Sequence, residues 1–214
     1  MPVMNKIDKI VTNGVIMKQF WEDRYKEDFF IYGKEPNRFF AEQIDEHSPG
    51  RLLLPMEGEG RNAVYAAKKG WQVDAIDFSE AAQDKALKLA AQSGVAISYH
   101  LRDMTSPELH EGVYDAAAMI YAHLPDIERK RLHQSVETSL RPGGVLILEA
   151  FHKKQIGNDS GGPSDPSMLY DASTLKSDFK ESDFLTLQEI QTELYEGVGH
   201  RGSAWVIRAV LRKI

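Results

Sequence analysis

Leu52-Leu53-Leu54-Pro55-Met56 runs into Glu57-Gly58-Glu59-Gly60-Arg61-Asn62-Ala63, and a second apolar run, Val73 to Ile76, ends in the carboxylate of Asp77. Asp77 stands 19 residues after Gly58. Glycine lets a backbone approach a ligand closely, and a helix N-terminus offers it unpaired N–H groups. An acid at the end of the neighbouring strand accepts hydrogen bonds from ribose hydroxyls. The chemistry implied is the binding of a nucleoside cofactor. Gly58, Gly60, Asn62 and Asp77 are the expected contacts, and Phe78 is placed either against the base or in simple core packing.

The same hexapeptide, Gly58 to Ala63, satisfies the loose dinucleotide pattern shared by several cofactor families. Glu57 and Glu59 flank its first glycine, where a dinucleotide would place a doubly anionic pyrophosphate, and like charges repel. S-adenosylmethionine carries no phosphate. It has a sulfonium and an ammonium, both favoured by nearby acids, so it is the expected cofactor. Arg61, at the helix start, is placed either for the methionine carboxylate or as a solvated helix residue. A nicotinamide-dependent oxidoreductase using the same loop is the alternative enzyme. A protein that binds S-adenosylmethionine without turning it over is the alternative outside enzymes.

Tyr121, Ala122 and His123 follow a continuous apolar run, on the edge where open α/β sheets place ligands. Tyr121 and His123 are the catalytic candidates, with Tyr121 also against the cofactor. Histidine titrates near neutrality and can deprotonate or orient an acceptor; a histidine bonded to a neighbouring loop is the structural reading. Trp21, Tyr25, Tyr32, Tyr170, His200 and Arg201 are substrate-side candidates. The segment 157–171 and the N-terminal aromatics are placed to close over the cofactor. With no cysteine, thiolate metal sites, disulfides and cysteine nucleophiles are excluded, and no metal is expected.

Alternating strands and helices must position these groups. The spacing predicts strands at about 51–56, 72–77, 96–101, 114–121 and 145–151. Helices are expected at about 61–69, at 80–93 behind an N-cap at Ser79, and at 126–140. Earlier helices run from Phe20 and from Pro36 to His47. A short helix at 173–179 precedes strands at 185–194 and 203–213, which so short a link makes antiparallel. The fold class is α/β, a doubly wound, mostly parallel seven-stranded sheet with a reversed C-terminal strand. Residues 1–16 read as a leader or extension, and 17–214 as one domain with a helical cap over 17–48. A net charge of −6 across 214 residues, with no basic block, argues for a small-molecule acceptor and against nucleic acid. No apolar run is long enough to span a membrane, so a cytoplasmic protein is expected. Oligomeric state is not encoded in any pattern here.

The chain resembles the class I S-adenosylmethionine-dependent methyltransferases, and among them the small bacterial tellurite-resistance and thiopurine methyltransferase type. The resembling motifs are Phe20-Trp21-Glu22-Asp23-Arg24-Tyr25, Tyr32-Gly33-Lys34-Glu35-Pro36-Asn37, Gly58 to Val64, Gly70-Trp71-Gln72-Val73 and Asp77-Phe78-Ser79. They continue in Ala122-His123-Leu124-Pro125, Leu140-Arg141-Pro142-Gly143-Gly144, Gly161-Gly162-Pro163, Met168-Leu169-Tyr170 and Glu196 to Gly202. The resemblance implies methyl transfer to a sulfur, selenium, tellurium, oxygen or nitrogen nucleophile. It also implies that Asp103, with the backbone of Met104, meets the adenine amine. Many such relatives carry an acid inside strand one. Here that region reads Leu53-Leu54-Pro55-Met56, and Glu57 is the nearest acid to take the methionine ammonium.

Overall fold

A computed structural model describes residues 14–214, with side chains from Met17 onward. Seven strands form one sheet: β1 (Arg51–Pro55), β2 (Gln72–Asp77), β3 (Ser98–Leu101), β4 (Tyr114–Ile120), β5 (Leu140–Phe151), β6 (Ser182–Glu196) and β7 (His200–Lys213). Their spatial order is β3-β2-β1-β4-β5-β7-β6. The first five are parallel, and β7 runs antiparallel to both β5 and β6. This is the expected mostly parallel sheet with its reversed last strand.

The strands alternate their side chains between two helical layers. Leu52, Leu54, Val73, Ala75, Ala116 and Ala118 face one layer, with Phe39, Phe40 and Ile44 of α2 (Arg38–Ile44), Ala63 and Ala66 of α3 (Arg61–Lys68) and Ala86 of α4 (Glu80–Gln92). Leu53, Ala117, Met119, Leu146 and Leu148 face the other, against Leu132 and Val136 of α5 (Asp126–Ser139) and Leu175 of α6 (Ala172–Asp178). β4 is the sheet centre, and its run of alanines is buried on both sides.

Several boundaries differ from the expectation, each for a tertiary reason. α1 covers Gly14–Tyr25, so the helix begins ahead of Met17; residues 1–13 of the expected leader lie outside the described residues. Asn37 rather than Pro36 opens α2, its side chain accepting from the Phe40 N–H. β5 already pairs at Leu140 with Tyr114, and the Arg141–Gly144 stretch forms a register irregularity within the strand. β6 and β7 extend well beyond 185–194 and 203–213, because the hairpin pairs from Ser182↔Lys213 to Glu196↔His200. Ser79 caps α4 as expected, its hydroxyl accepting from the Ala82 N–H.

Candidate functional site

β1 and β4 are neighbours whose following helices leave to opposite layers, so a crevice opens at their carboxyl ends. Met56, Glu57, Arg61 and Asn62 line it after β1, Asp77 and Phe78 after β2, Ile120, Tyr121 and His123 after β4, and Phe151 at the end of β5. Its roof comes from far along the chain. Met17, Phe20, Trp21, Arg24 and Tyr25 of α1 contribute, with Tyr32 behind them, as do Gly161, Gly162, Pro163 and Met168. Gly199 and His200, at the β6–β7 tip, complete it. The Gly199 N–H donates to the Ile31 carbonyl at 2.9 Å, tying that tip to the segment after α1.

The two strand-end acids are held by backbone. Asp77 accepts from the Gly58 N–H and the Ser79 N–H, each at 3.1 Å. Burial pushes its carboxyl up to about 6, against those hydrogen bonds. Glu57 accepts from the N–H groups of Asn62 (2.9 Å) and Ala63 (2.8 Å), the orphan donors of the first turn of α3. Burial raises Glu57 to about 7. Both residues line the cleft. Glu59 does not: it accepts from the Ile31 N–H and from Lys85 Nζ, both at 2.8 Å, and turns toward the roof. The expected pair of loop acids therefore reduces to Glu57 alone.

The glycines answer to packing as much as to any ligand. Gly58 (φ +63°) faces the Tyr25 hydroxyl, which an added Cβ would meet at 2.8 Å. Gly60 (φ +85°) faces Ala86 of α4, where a Cβ would meet the alanine methyl at 2.5 Å. Neither glycine lines the cleft; they let α1 and α4 close onto the loop.

His123 has no free nitrogen. Its Nδ1 lies 2.8 Å from the Met168 carbonyl, and its Nε2 accepts from the Phe151 N–H at 3.2 Å. That pattern fixes the Nδ1–H tautomer, and burial drops the ring to about 4. A base needs an available lone pair, so the geometry corrects the catalytic expectation: His123 splices the loop after β4 to β5 and to the 166–168 turn. The Tyr121 hydroxyl donates to Glu149 Oε1 at 2.7 Å, and burial first, then the Glu149 charge, hold its phenol well above the usual range. Tyr121 is a donor and a wall rather than a base.

Arg61 is likewise engaged, donating to Glu196 Oε2 at 2.8 Å and to the Tyr32 carbonyl at 3.2 Å. Glu196 also meets His200 and the Asn37 amide. Glu149, fully buried in β5, accepts from Asn37, Tyr121 and Arg208. A connected polar layer thus underlies the cleft and pairs the charges of Arg61, Glu149 and Glu196. Glu149 is the residue that reading the sequence missed. The signal was a lone carboxylate inside the apolar run Leu146-Ile147-Leu148-Glu149-Ala150-Phe151.

Of the remaining candidates, Trp21, Tyr25, Tyr32 and His200 are brought together in the cleft, and Trp21 stacks on Tyr25 at 5.5 Å. Tyr170 is fully buried behind it, donating to the Ala122 carbonyl at 2.5 Å. Arg201 is exposed on β7 outside the cleft. Asp103 closes a surface turn on Thr105, and Met104 is a core residue; both border a separate shallow depression past β3. The expectation placed the N-terminal aromatics over the cofactor as a group, but gave no individual role to Met17, Phe20, Arg24, Met56, Ile120 or Phe151.

Residues 56–144 match the model of a family described as a methyltransferase domain. The match spans the cofactor loop after β1 through to β5, inside the 3-2-1-4-5-7-6 sheet. That segment is a methyltransferase domain, and the sheet around it is the Rossmann-like methyltransferase fold. TehB from Haemophilus influenzae is similar in structure at a TM-score of 0.70 and 19% identity, covering 92% of this chain and 67% of that one. Two curated relatives are ribosomal RNA small subunit methyltransferases. Methyltransferase C of Alcanivorax borkumensis is 27% identical over 134 residues, 56% of this chain and 40% of its own length. Methyltransferase B of Thermus thermophilus is 31% identical over 91 residues, 41% of this chain and 23% of its own. The chain thus spans less than half the length of either. Their names overturn the exclusion of nucleic acid drawn from net charge. A whole-chain charge describes average surface, whereas a methyltransferase meets its acceptor through one local face.

The cleft suits the cofactor of this methyltransferase class. Its lining offers the carboxylates of Asp77 and Glu57 and the guanidinium of Arg24, whose Nε has no hydrogen-bond partner, a donor set that fits a ligand carrying hydroxyls and charges of both signs.

Proposed function

We propose that the chain transfers the methyl group of S-adenosylmethionine to a small-molecule acceptor enclosed in this cleft. When bound, the cofactor supplies a methyl carbon already activated by a sulfonium. Asp77 takes the ribose and Phe78 the base side, while Glu57 faces the methionine ammonium. Trp21, Tyr25, Tyr32, Tyr121 and His200 surround the acceptor and exclude water, so that the chain contributes mainly alignment, an effect worth roughly 7 to 11 kcal/mol.

The observation carrying this reading is the roof: aromatic side chains of α1 and the Gly161–Pro163 loop cover the carboxyl ends of β1 and β4. An enclosed, ring-lined cavity suits a small ligand. His123 has spent both nitrogens and the buried tyrosines hold their protons, so an acceptor that arrives with its lone pair available suits this cleft best. A thiolate or another soft anion meets that condition. Among the described residues no helix is long and apolar enough to cross a membrane, and a cytoplasmic site of action belongs to this proposal.

Labelled S-adenosylmethionine with a panel of thiols, selenite, tellurite, phenols, amines and ribosomal RNA tests it. Turnover with an ionised small acceptor is expected. Label transferred only to RNA would overturn the small-molecule reading and keep the methyltransferase.

A further inference from the structure

Among the described residues, the cations around the cleft are paired, with one exception. Arg61 is held by Glu196, Lys85 by Glu59 and Arg208 by Glu149. Arg24 joins none of the ion pairs formed among the described residues, and its Nε is buried with no hydrogen-bond partner. Its guanidinium lies 5.8 to 6.0 Å from the ring centroids of Phe20, Trp21 and Tyr32, which hold it over the cleft. A buried N–H left without an acceptor costs free energy unless something else completes it.

We propose that Arg24 is the anion-recognition point of the cleft and receives a carboxylate, or an oxyanion of the same shape, from the bound ligand. A guanidinium presents its donors in a planar fork that matches a carboxylate, and a cage of rings presets that plane. Arg61, whose place at the helix start suggested this task, is spent on Glu196 and the Tyr32 carbonyl. Glu57 and Asp77 line the same cavity, so the site pairs one free cation with two acids. That arrangement complements a zwitterion. The inference rests on the methyl-transfer reading. Its carboxylate comes either from the methionine half of the cofactor or from the acceptor.

Isothermal titration on the full chain separates these. Arg24→Met keeps the apolar stem against the rings, and Arg24→Lys keeps the charge without the fork; matching melting curves establish that both fold. Arg24→Met is expected to weaken S-adenosylhomocysteine tenfold or more while leaving 5′-methylthioadenosine, which lacks the amino-acid half, unchanged. Arg24→Lys should recover part of the loss. If S-adenosylhomocysteine binds both proteins alike, benzoate is titrated into the saturated enzyme. Binding to wild type and not to Arg24→Met assigns the anion to the acceptor. Equal behaviour of wild type and Arg24→Met in both titrations overturns the inference alone. A wild type that binds neither nucleoside overturns the cofactor reading together with it.

Discussion

Met56 and Tyr121 adopt the same left-handed backbone, φ 57° and 54°, each one residue past the end of adjacent parallel strands, β1 and β4. They are the positive-φ residues other than glycine among the described residues, and both line the cleft. A side chain in this region costs roughly 1 to 2 kcal/mol, so the surrounding structure must over-determine it. At Tyr121 the restraints are visible: its N–H donates to the Glu149 carbonyl at 2.7 Å, and its hydroxyl to the Glu149 carboxylate at 2.7 Å. One residue of β5 thus grips both ends of Tyr121.

The strain gives an inverted order of stability. In most positions alanine is more stable than glycine, because glycine loses more freedom on folding. At Tyr121 both replacements lose the ring and its hydrogen bond, but only alanine keeps the left-handed penalty. Tyr121→Gly should therefore exceed Tyr121→Ala by about 1 kcal/mol in urea unfolding. Alanine equal to or above glycine would show that the backbone relaxes once the ring is gone.

Asp77→Ala should weaken S-adenosylhomocysteine by roughly 1 to 3 kcal/mol, through lost charged hydrogen bonds to the ribose. The same substitution frees the N–H groups of Gly58 and Ser79, so Asp77→Asn is the cleaner probe of charge. Because burial raises this carboxyl to about 6, and the ionised form is the better acceptor, wild-type affinity should climb as pH rises from about 5 to 7. Calorimetry across that range decides it. A flat profile retained by both Asp77→Asn and wild type would place the ribose elsewhere.

Periodicity made the sheet, the loop and Asp77 legible, because each depends on residues close in sequence. Pairings across long separations were not. Glu59 turns away because Ile31 and Lys85 reach it, 28 and 26 residues distant. His123 is consumed by Met168 and Phe151, supplied by a later turn and a later strand. Gly143-Gly144 reads as a turn, yet β5 forms across it because Leu140 finds Tyr114. The helix of Phe20 and Trp21 was readable as aromatic, but that Arg24 would face a cavity among those rings depends on where α1 docks on α4. Glu22 sets that docking, accepting from the Ser79 hydroxyl at 2.6 Å.

Glu57 gives a pH signature with the sign of a raised carboxyl. Its ordinary value of 4.5 rises to about 7 on folding, so the folded chain holds this proton where the unfolded chain has lost it. Its contribution is complete below about 4.5 and fades as pH climbs through 7. Glu57→Gln keeps an acceptor for the Asn62 and Ala63 N–H groups and removes the titration. The stability gap between Glu57→Gln and wild type should therefore shift in favour of the glutamine by about 1 to 2 kcal/mol between pH 4.5 and 8. That figure is reduced from the full shift because Glu57 is only partly buried and lines the open cleft. Parallel pH–stability curves for the two proteins would contradict the assignment.

His123 carries the opposite sign. Burial lowers its ring from 6.5 to about 4, so between those values the unfolded chain binds a proton that the folded chain refuses. Its contribution is present above 6.5 and is lost as pH falls toward 4, against the trend of Glu57. His123→Gln should flatten that acid limb. It should also cost about 1 to 3 kcal/mol at pH 7, because the Phe151 N–H and Met168 carbonyl lose one well-placed partner. The pH dependence of kcat/KM is the sharper measurement, using the acceptor that turns over best. A ring at 4 with both nitrogens engaged supplies no ionisation near neutrality, so the profiles of wild type and His123→Gln should share their shape. If a limb between pH 6 and 7 vanished in the variant alone, His123 would be the base after all, and its bonds to Phe151 and Met168 would have to open during turnover.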